Sequence, residues 1–129
     1  MQAILSRLGV VLPQTRALLR VLFIMLVVVG LVVSLLPMDG VVNLENNKDK
    51  VAHALSFLGF AALLDLATTR SFWRWKFPVL LGYGALIEIL QAFTPWRSFS
   101  LWDFTADTTG VLLYWLLWRL VLSRFIRHA

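Results

Sequence analysis

The chain has 129 residues, of which 60% are hydrophobic and only 15% charged, against roughly 45 to 50% and about 25% for an ordinary soluble domain. At about 20 residues per membrane-spanning helix, this length and composition predict an all-α membrane protein with room for four spans, and they leave little for a soluble catalytic domain. The absence of cysteine excludes disulfides, thiol catalysis and thiolate metal sites. The net charge of +5 calls for no nucleic-acid partner once the charges are placed along the chain.

The first predicted span covers about residues 18–38, centred on the charge-free run Val21 to Met38, with Pro37 and Asp39-Gly40 as its stop. Arg7, Arg16 and Arg20 precede it, as in a secretory signal. The apolar stretch exceeds the usual ~7 to 15 residues of such a signal and no small-x-small cleavage site follows, so a retained helix is expected. Residues 39–47, DGVVNLENN, read as the longest polar loop. The second span runs over about 48–68, interrupted by His53 and Asp65. The third covers about 77–94 and carries Glu88; the fourth covers about 101–122, with Asp103 and Asp107 near its start. The whole of 1–129 reads as one integral membrane domain, a four-transmembrane-helix bundle.

Cytoplasmic loops carry an excess of Lys and Arg. With four spans, the N-terminus, the 69–76 loop and the C-terminus share one side and hold Arg7, Arg16, Arg20, Arg70, Arg74, Lys76, Arg119, Arg124 and Arg127, whereas the other side holds Lys48, Lys50 and Arg97. Nine against three predicts that both termini are cytoplasmic, and the basic excess is then explained by insertion and by attraction to anionic lipid heads. Trp73, Trp75 and Trp118 fall near the inner interface and Trp96 and Trp102 near the outer one. The acids show the opposite bias. Only Asp65 falls towards the cytoplasm; Asp39, Glu45, Asp49, Glu88, Asp103 and Asp107 lie in the outer half or outside.

Residues at i, i+4 and i+7 share a helix face. The second span therefore carries a stripe of Asp49, His53 and Ser56, the third one of Gly84, Glu88 and Gln91, and the fourth one of Asp103, Asp107 and Gly110. Each runs from a small residue towards the outer surface, as expected if three helices pack around a cavity opening outward. Plainer roles exist for some of these groups. Asp49 suits the positive end of its helix, Ser100 and Asp103 have capping-box spacing, and His53 is as well suited to packing as to acid-base work. Arg97, in the loop TPWRSFSLWD, suits either an interfacial anchor or a pocket cation binding carboxylate or phosphate. Glu88 and Asp107 are harder to dismiss, because neither has a cation at i±3 or i±4 on its own helix. Asp65 reads as structural and His128 as a tail residue.

The candidate ligand-binding set is thus Asp49, Lys50, His53, Glu88, Gln91, Arg97, Asp103 and Asp107, with His53, Glu88 and Asp107 as candidates for acid-base catalysis. Carboxylates outnumber cations in this set, so a proton, a cation or a cationic ligand group is expected among them. A hard divalent metal on His53 and carboxylate oxygens is chemically allowed, although the spacing is no recognised metal signature. No G-x-S-x-G elbow, H-E-x-x-H or P-loop is present.

Three short motifs in this order resemble the VanZ-like family of small bacterial integral membrane proteins: D-K-V-A-H at Asp49 to His53 followed by the Phe57 to Phe60 run, G-x-x-x-E-x-x-Q from Gly84 through Glu88 to Gln91, and Arg97 followed by Asp103 and the D-x-x-G of Asp107 to Gly110. The resemblance spans 49–122. Thr108-Thr109 depart from it where the family often has an asparagine, which argues against a role that needs an amide there. The resemblance implies a multi-pass protein of the bacterial inner membrane connected with the cell envelope, and a link to glycopeptide response through the family member associated with teicoplanin resistance. The expected activity is binding of an envelope or lipid-linked polar ligand in the outer cavity. The competing expectations are an acid-base or metal-dependent enzyme acting on an envelope head group, and a helper subunit for a membrane protein partner.

Overall fold

The computed structural model describes residues 13–37, 46–96, 99–122 and 124. Among them are four α-helices and no strand: α1 (Pro13–Leu35), α2 (Asn46–Ala67), α3 (Phe77–Ala92) and α4 (Leu101–Leu117). Helix α1 starts on a proline, which needs no N–H in the first turn, and stops at Leu35 because Pro37 bars Leu36 from continuing the helix. It begins upstream of the predicted span, so Arg16 and Arg20 are helical residues. Helix α2 takes Asn46 and Asn47 from the predicted 39–47 loop. The expected 69–76 loop is shorter than the sequence indicates, because Phe72–Lys76 form a π-helical turn running directly into α3. Pro78 accounts for this, since it cannot donate to a carbonyl one turn back and the wider turn accommodates the gap. A second π-helical turn, Trp118–Leu122, extends α4.

The helices run up, down, up, down. Arg20 Nε at the start of α1 donates to the Ala67 carbonyl at the end of α2, 2.9 Å away. Tyr83 Oη and Gln91 Nε2 on α3 donate to the carbonyls of Val27 and Ser34 on α1, at 2.7 and 2.8 Å, so those two helices are parallel. Helices α2 and α4 are also parallel and pack closely, because Gly110 lies against the backbone of Ala54; an added Cβ there would overlap the Ala54 carbonyl. Small residues are what allow such an approach between apolar helices.

The buried core is Phe57, Ala61, Leu80, Ile87, Val111 and Tyr114. Phe57, Phe60 and Tyr83 form an aromatic cluster with ring centroids 5.6 to 5.7 Å apart. The outside is more apolar than the inside. Among its described residues α1 buries none, and Leu18 and Ile24 are 68% and 60% exposed, whereas Asp65, Lys76, Glu88, Gln91, Asp103 and Asp107 are all buried. An apolar exterior of this extent requires a non-aqueous neighbour. Gln14–Leu35 and Lys48–Ala67 are each long and apolar enough to cross a membrane.

One end of the bundle gathers the start of α1, the end of α2, the π-turn before α3 and the end of α4. Here Lys76 Nζ meets Asp65 Oδ1 at 2.5 Å and the Asp65 carbonyl at 3.4 Å, and Tyr114 Oη donates to the other oxygen of Asp65. Arg70 lies over Trp75, with 4.5 Å from guanidinium to ring centre, and Arg119 lies 5.4 Å over Trp115. Lys76, which the sequence placed among the loop cations, is therefore a buried partner of Asp65.

Candidate functional site

The opposite end assembles most of the predicted polar residues. Helix α2 contributes Lys50 and His53, α4 contributes Asp103 and Asp107, and α3 contributes Glu88. His53 Nδ1 and Asp107 Oδ1 are 2.8 Å apart and share a hydrogen. On the far side of the ring, Asp49 Oδ1 lies 3.8 Å from His53 Nε2, one helical turn back on the same helix. Lys50 Nζ lies 3.9 Å from Asp103 Oδ1, a loose pair at the rim.

Glu88 meets the others through a loop. Its Oε2 accepts from the Ser100 backbone N–H at 2.9 Å, while the Ser100 hydroxyl accepts from the Asp103 N–H at 3.2 Å and caps α4. The expected capping role of Ser100 is thus observed, and Glu88 sits against the positive end of a neighbouring helix. The Ser100 backbone contact was not legible in the sequence, because a main-chain donor in a loop has no signature in residue type.

His53, Glu88 and Asp107 each present a donor atom within 4.8 Å of the other two, and so do Asp49, His53 and Asp103. Glu88 and Asp107 are 1% exposed. Each retains one buried carboxylate oxygen, Glu88 Oε1 and Asp107 Oδ2, with no hydrogen-bond partner among the described residues. A buried acceptor left unmatched costs about 1 to 3 kcal/mol, more when charged. Gly84 makes the crowding at Asp107 tolerable, since a Cβ on it would come within 3.1 Å of Oδ2.

Other expectations are redistributed. Gln91 is buried but donates to the Ser34 carbonyl of α1, tying helices together away from the imidazole. Ser56 is exposed; the stripe of Asp49 and His53 continues into Phe57, at i+4, and the predicted i+7 position faces outward. Thr108 and Thr109 direct their hydroxyls to the carbonyls of Phe104 and Thr105 on their own helix. Arg97, with Arg7, residues 39–45, Arg127 and His128, lies outside the described residues. The pairing of Asp65 with Lys76 and Tyr114 was missed, although a carboxylate inside an apolar span calls for a cation at equal depth on the next helix.

A family model described as VanZ/LLP1 matches residues 13–122. The chain belongs to the VanZ/LLP1 family. The match begins with α1, so the first helix is part of the family region and the resemblance over 49–122 is extended upstream. Comparison with curated proteins and with solved structures gives no match. Family membership and the two membrane-length apolar helices together make this VanZ/LLP1 chain a membrane protein.

Proposed function

We propose that the protein is a multi-pass component of the bacterial inner membrane with four spans, both termini cytoplasmic and the His53–Glu88–Asp107 centre near the outer face, where it binds a polar, envelope-derived or lipid-linked ligand. The π-turns that lengthen α3 and α4 support four crossings, and the nine-to-three division of Lys and Arg supports the orientation. The observation that carries ligand binding is that Glu88 and Asp107, on two different helices, present ligand atoms within 4.8 Å of each other and of His53, and that each also keeps one buried oxygen unmatched among the described residues. Such acceptors call for a donor that the described residues do not supply. Asp49 and Lys50 are partly exposed at the rim and would receive the ligand's outer portion together with Arg97 and Asp103. Gln91, one turn nearer the outer face than Glu88, would border the site while holding α3 to α1. If the ligand is a wall precursor, its retention also links the protein to glycopeptide response.

Native mass spectrometry of gently purified wild-type protein beside Glu88→Gln tests this reading. An envelope species retained by the wild type and lost from the variant at equal membrane abundance is expected. Identical spectra from two equally folded proteins would leave the cluster as a structural network. A second reading, acid-base catalysis on an envelope head group, is favoured by the hydrogen bond between His53 and Asp107, which holds the imidazole as a general base requires. In that case the retained species changes in mass on incubation with the wild type, and His53→Gln stops the change. A helper role in a larger membrane complex predicts co-purifying protein instead.

A further inference from the structure

Two buried carboxylates sit poorly with the phosphate and carboxylate groups that envelope lipids carry. Glu88 and Asp107 together bring two negative charges, against which a protonated His53 supplies one. An anionic head group added to such a centre meets repulsion in a low-dielectric surrounding. We infer that His53, Glu88 and Asp107 coordinate one divalent cation of the Zn2+ or Mn2+ type, and that an oxygen of the polar ligand occupies a remaining coordination position. This rests on the ligand-binding reading above and supplies the charge that makes an anionic head group acceptable there.

The geometry suits an ion. The three donors lie within 4.8 Å of one another. Metal bonds of about 2.0 to 2.2 Å place neighbouring ligand atoms roughly 2.8 to 3.1 Å apart in an octahedral site and roughly 3.3 to 3.6 Å apart in a tetrahedral one. His53 Nδ1 and Asp107 Oδ1, now 2.8 Å apart, already have octahedral spacing and need to open by about 0.5 to 0.8 Å for a tetrahedral ion. One imidazole and two carboxylates form a donor set for a borderline or hard divalent ion, and three protein ligands leave room for water or substrate, as in catalytic zinc sites. The unmatched oxygens of Glu88 and Asp107 point independently to a missing electropositive partner. Support from the surroundings is also in place. Glu88 is steadied through Oε2 by the Ser100 N–H, and Asp49 lies beyond Nε2 of His53, where metal-bound histidines keep a carboxylate that orients the ring. The outer trio of Asp49, His53 and Asp103 has similar spacing but is more open, and Lys50 already stands 3.9 Å from Asp103. The inner trio is therefore the site.

The test uses full-length protein carrying a non-histidine affinity tag, stripped with EDTA in detergent and then exposed to Zn2+ or Mn2+. Elemental analysis is expected to give about one retained ion per chain, and pulsed EPR of the Mn2+ form is expected to show nitrogen coupling from one imidazole. The chain has two histidines, so the coupling must persist in His128→Ala. Glu88→Gln and Asp107→Asn should lower retained metal at least ~10-fold while still eluting as folded protein; if either fails to fold, the nitrogen signal of the wild type and of His128→Ala decides. Wild type that retains no Zn2+ or Mn2+ above background, or nitrogen coupling that vanishes in His128→Ala, overturns the inference. Should metal-free wild type still hold an envelope species that Glu88→Gln loses, the ion is refuted and ligand binding stands. Wild type that holds neither refutes both.

Discussion

Each end of the bundle buries a carboxylate cluster, and the two clusters differ in how completely they are satisfied. At the basic end, Asp65 has Lys76 on one oxygen and Tyr114 on the other, and Lys76 also reaches the Asp65 carbonyl. At the acidic end, Glu88 and Asp107 each have one oxygen engaged and one unmatched, and the cation beside them, Lys50, stands at the rim against Asp103. Both clusters are costly to place among apolar helices. The first offsets that cost with a hydrogen-bond partner on each carboxylate oxygen. The second leaves part of it outstanding, which is the signature of a site built for something other than holding the fold.

That contrast is sharpest in stability measurements. Lys76→Met should be the most damaging single change, because it leaves a buried carboxylate with a hydroxyl partner alone; a loss of about 3 to 5 kcal/mol is expected in reversible unfolding from detergent micelles. A loss below about 1 kcal/mol would show that Asp65 finds water or lipid instead. Next comes Gly110→Ala, which forces α2 and α4 apart at the Ala54 backbone and should cost about 1 to 3 kcal/mol. It should also part His53 from Asp107, so retained ligand falls along with melting temperature.

Glu88→Gln breaks the comparison in the other direction. It removes a charge whose partners are incomplete and keeps an oxygen for the Ser100 N–H, so stability should move by less than about 1 kcal/mol while the ligand is lost. Destabilisation as large as that of Lys76→Met would put the two clusters in the same class. The smallest effect is expected from Ser56→Ala, an exposed position off both clusters, which should stay within about 0.5 kcal/mol of wild type and keep its ligand; loss of ligand would restore Ser56 to the stripe.

Much of the architecture was legible in the chain. Hydrophobic runs, stopped by Pro37 and Pro95, set out four helical segments, two of which are of membrane length, and helical spacing put His53, Glu88 and Asp107 on faces that meet. Their pairing followed from the cost of exposing ionisable groups to lipid. Ser56 was misplaced because the stripe of α2 turns inward through Phe57, at i+4 from His53, which leaves Ser56 exposed, although the same i+7 spacing buries Gln91 on α3 and Gly110 on α4. Gln91 was expected to line the outer cavity; it is buried, and its partner is a main-chain carbonyl of α1, which no residue pattern reports. The shortened 69–76 loop escaped detection because its charged and aromatic residues imitate an interfacial loop, while Pro78 obscures the helical turn before it.

The sequence by itself determined the helical class, the segments and the residues that had to find polar company, since each of these follows from composition and from the 3.6-residue period along a single helix. Only the tertiary structure decided the partners: Lys76 with Asp65, Gln91 with Ser34, Glu88 with the Ser100 N–H, and two carboxylate oxygens with none among the described residues. The reason is physical. Which polar group is satisfied depends on distances between helices, and those are set by how closely Gly84 and Gly110 allow their neighbours to approach.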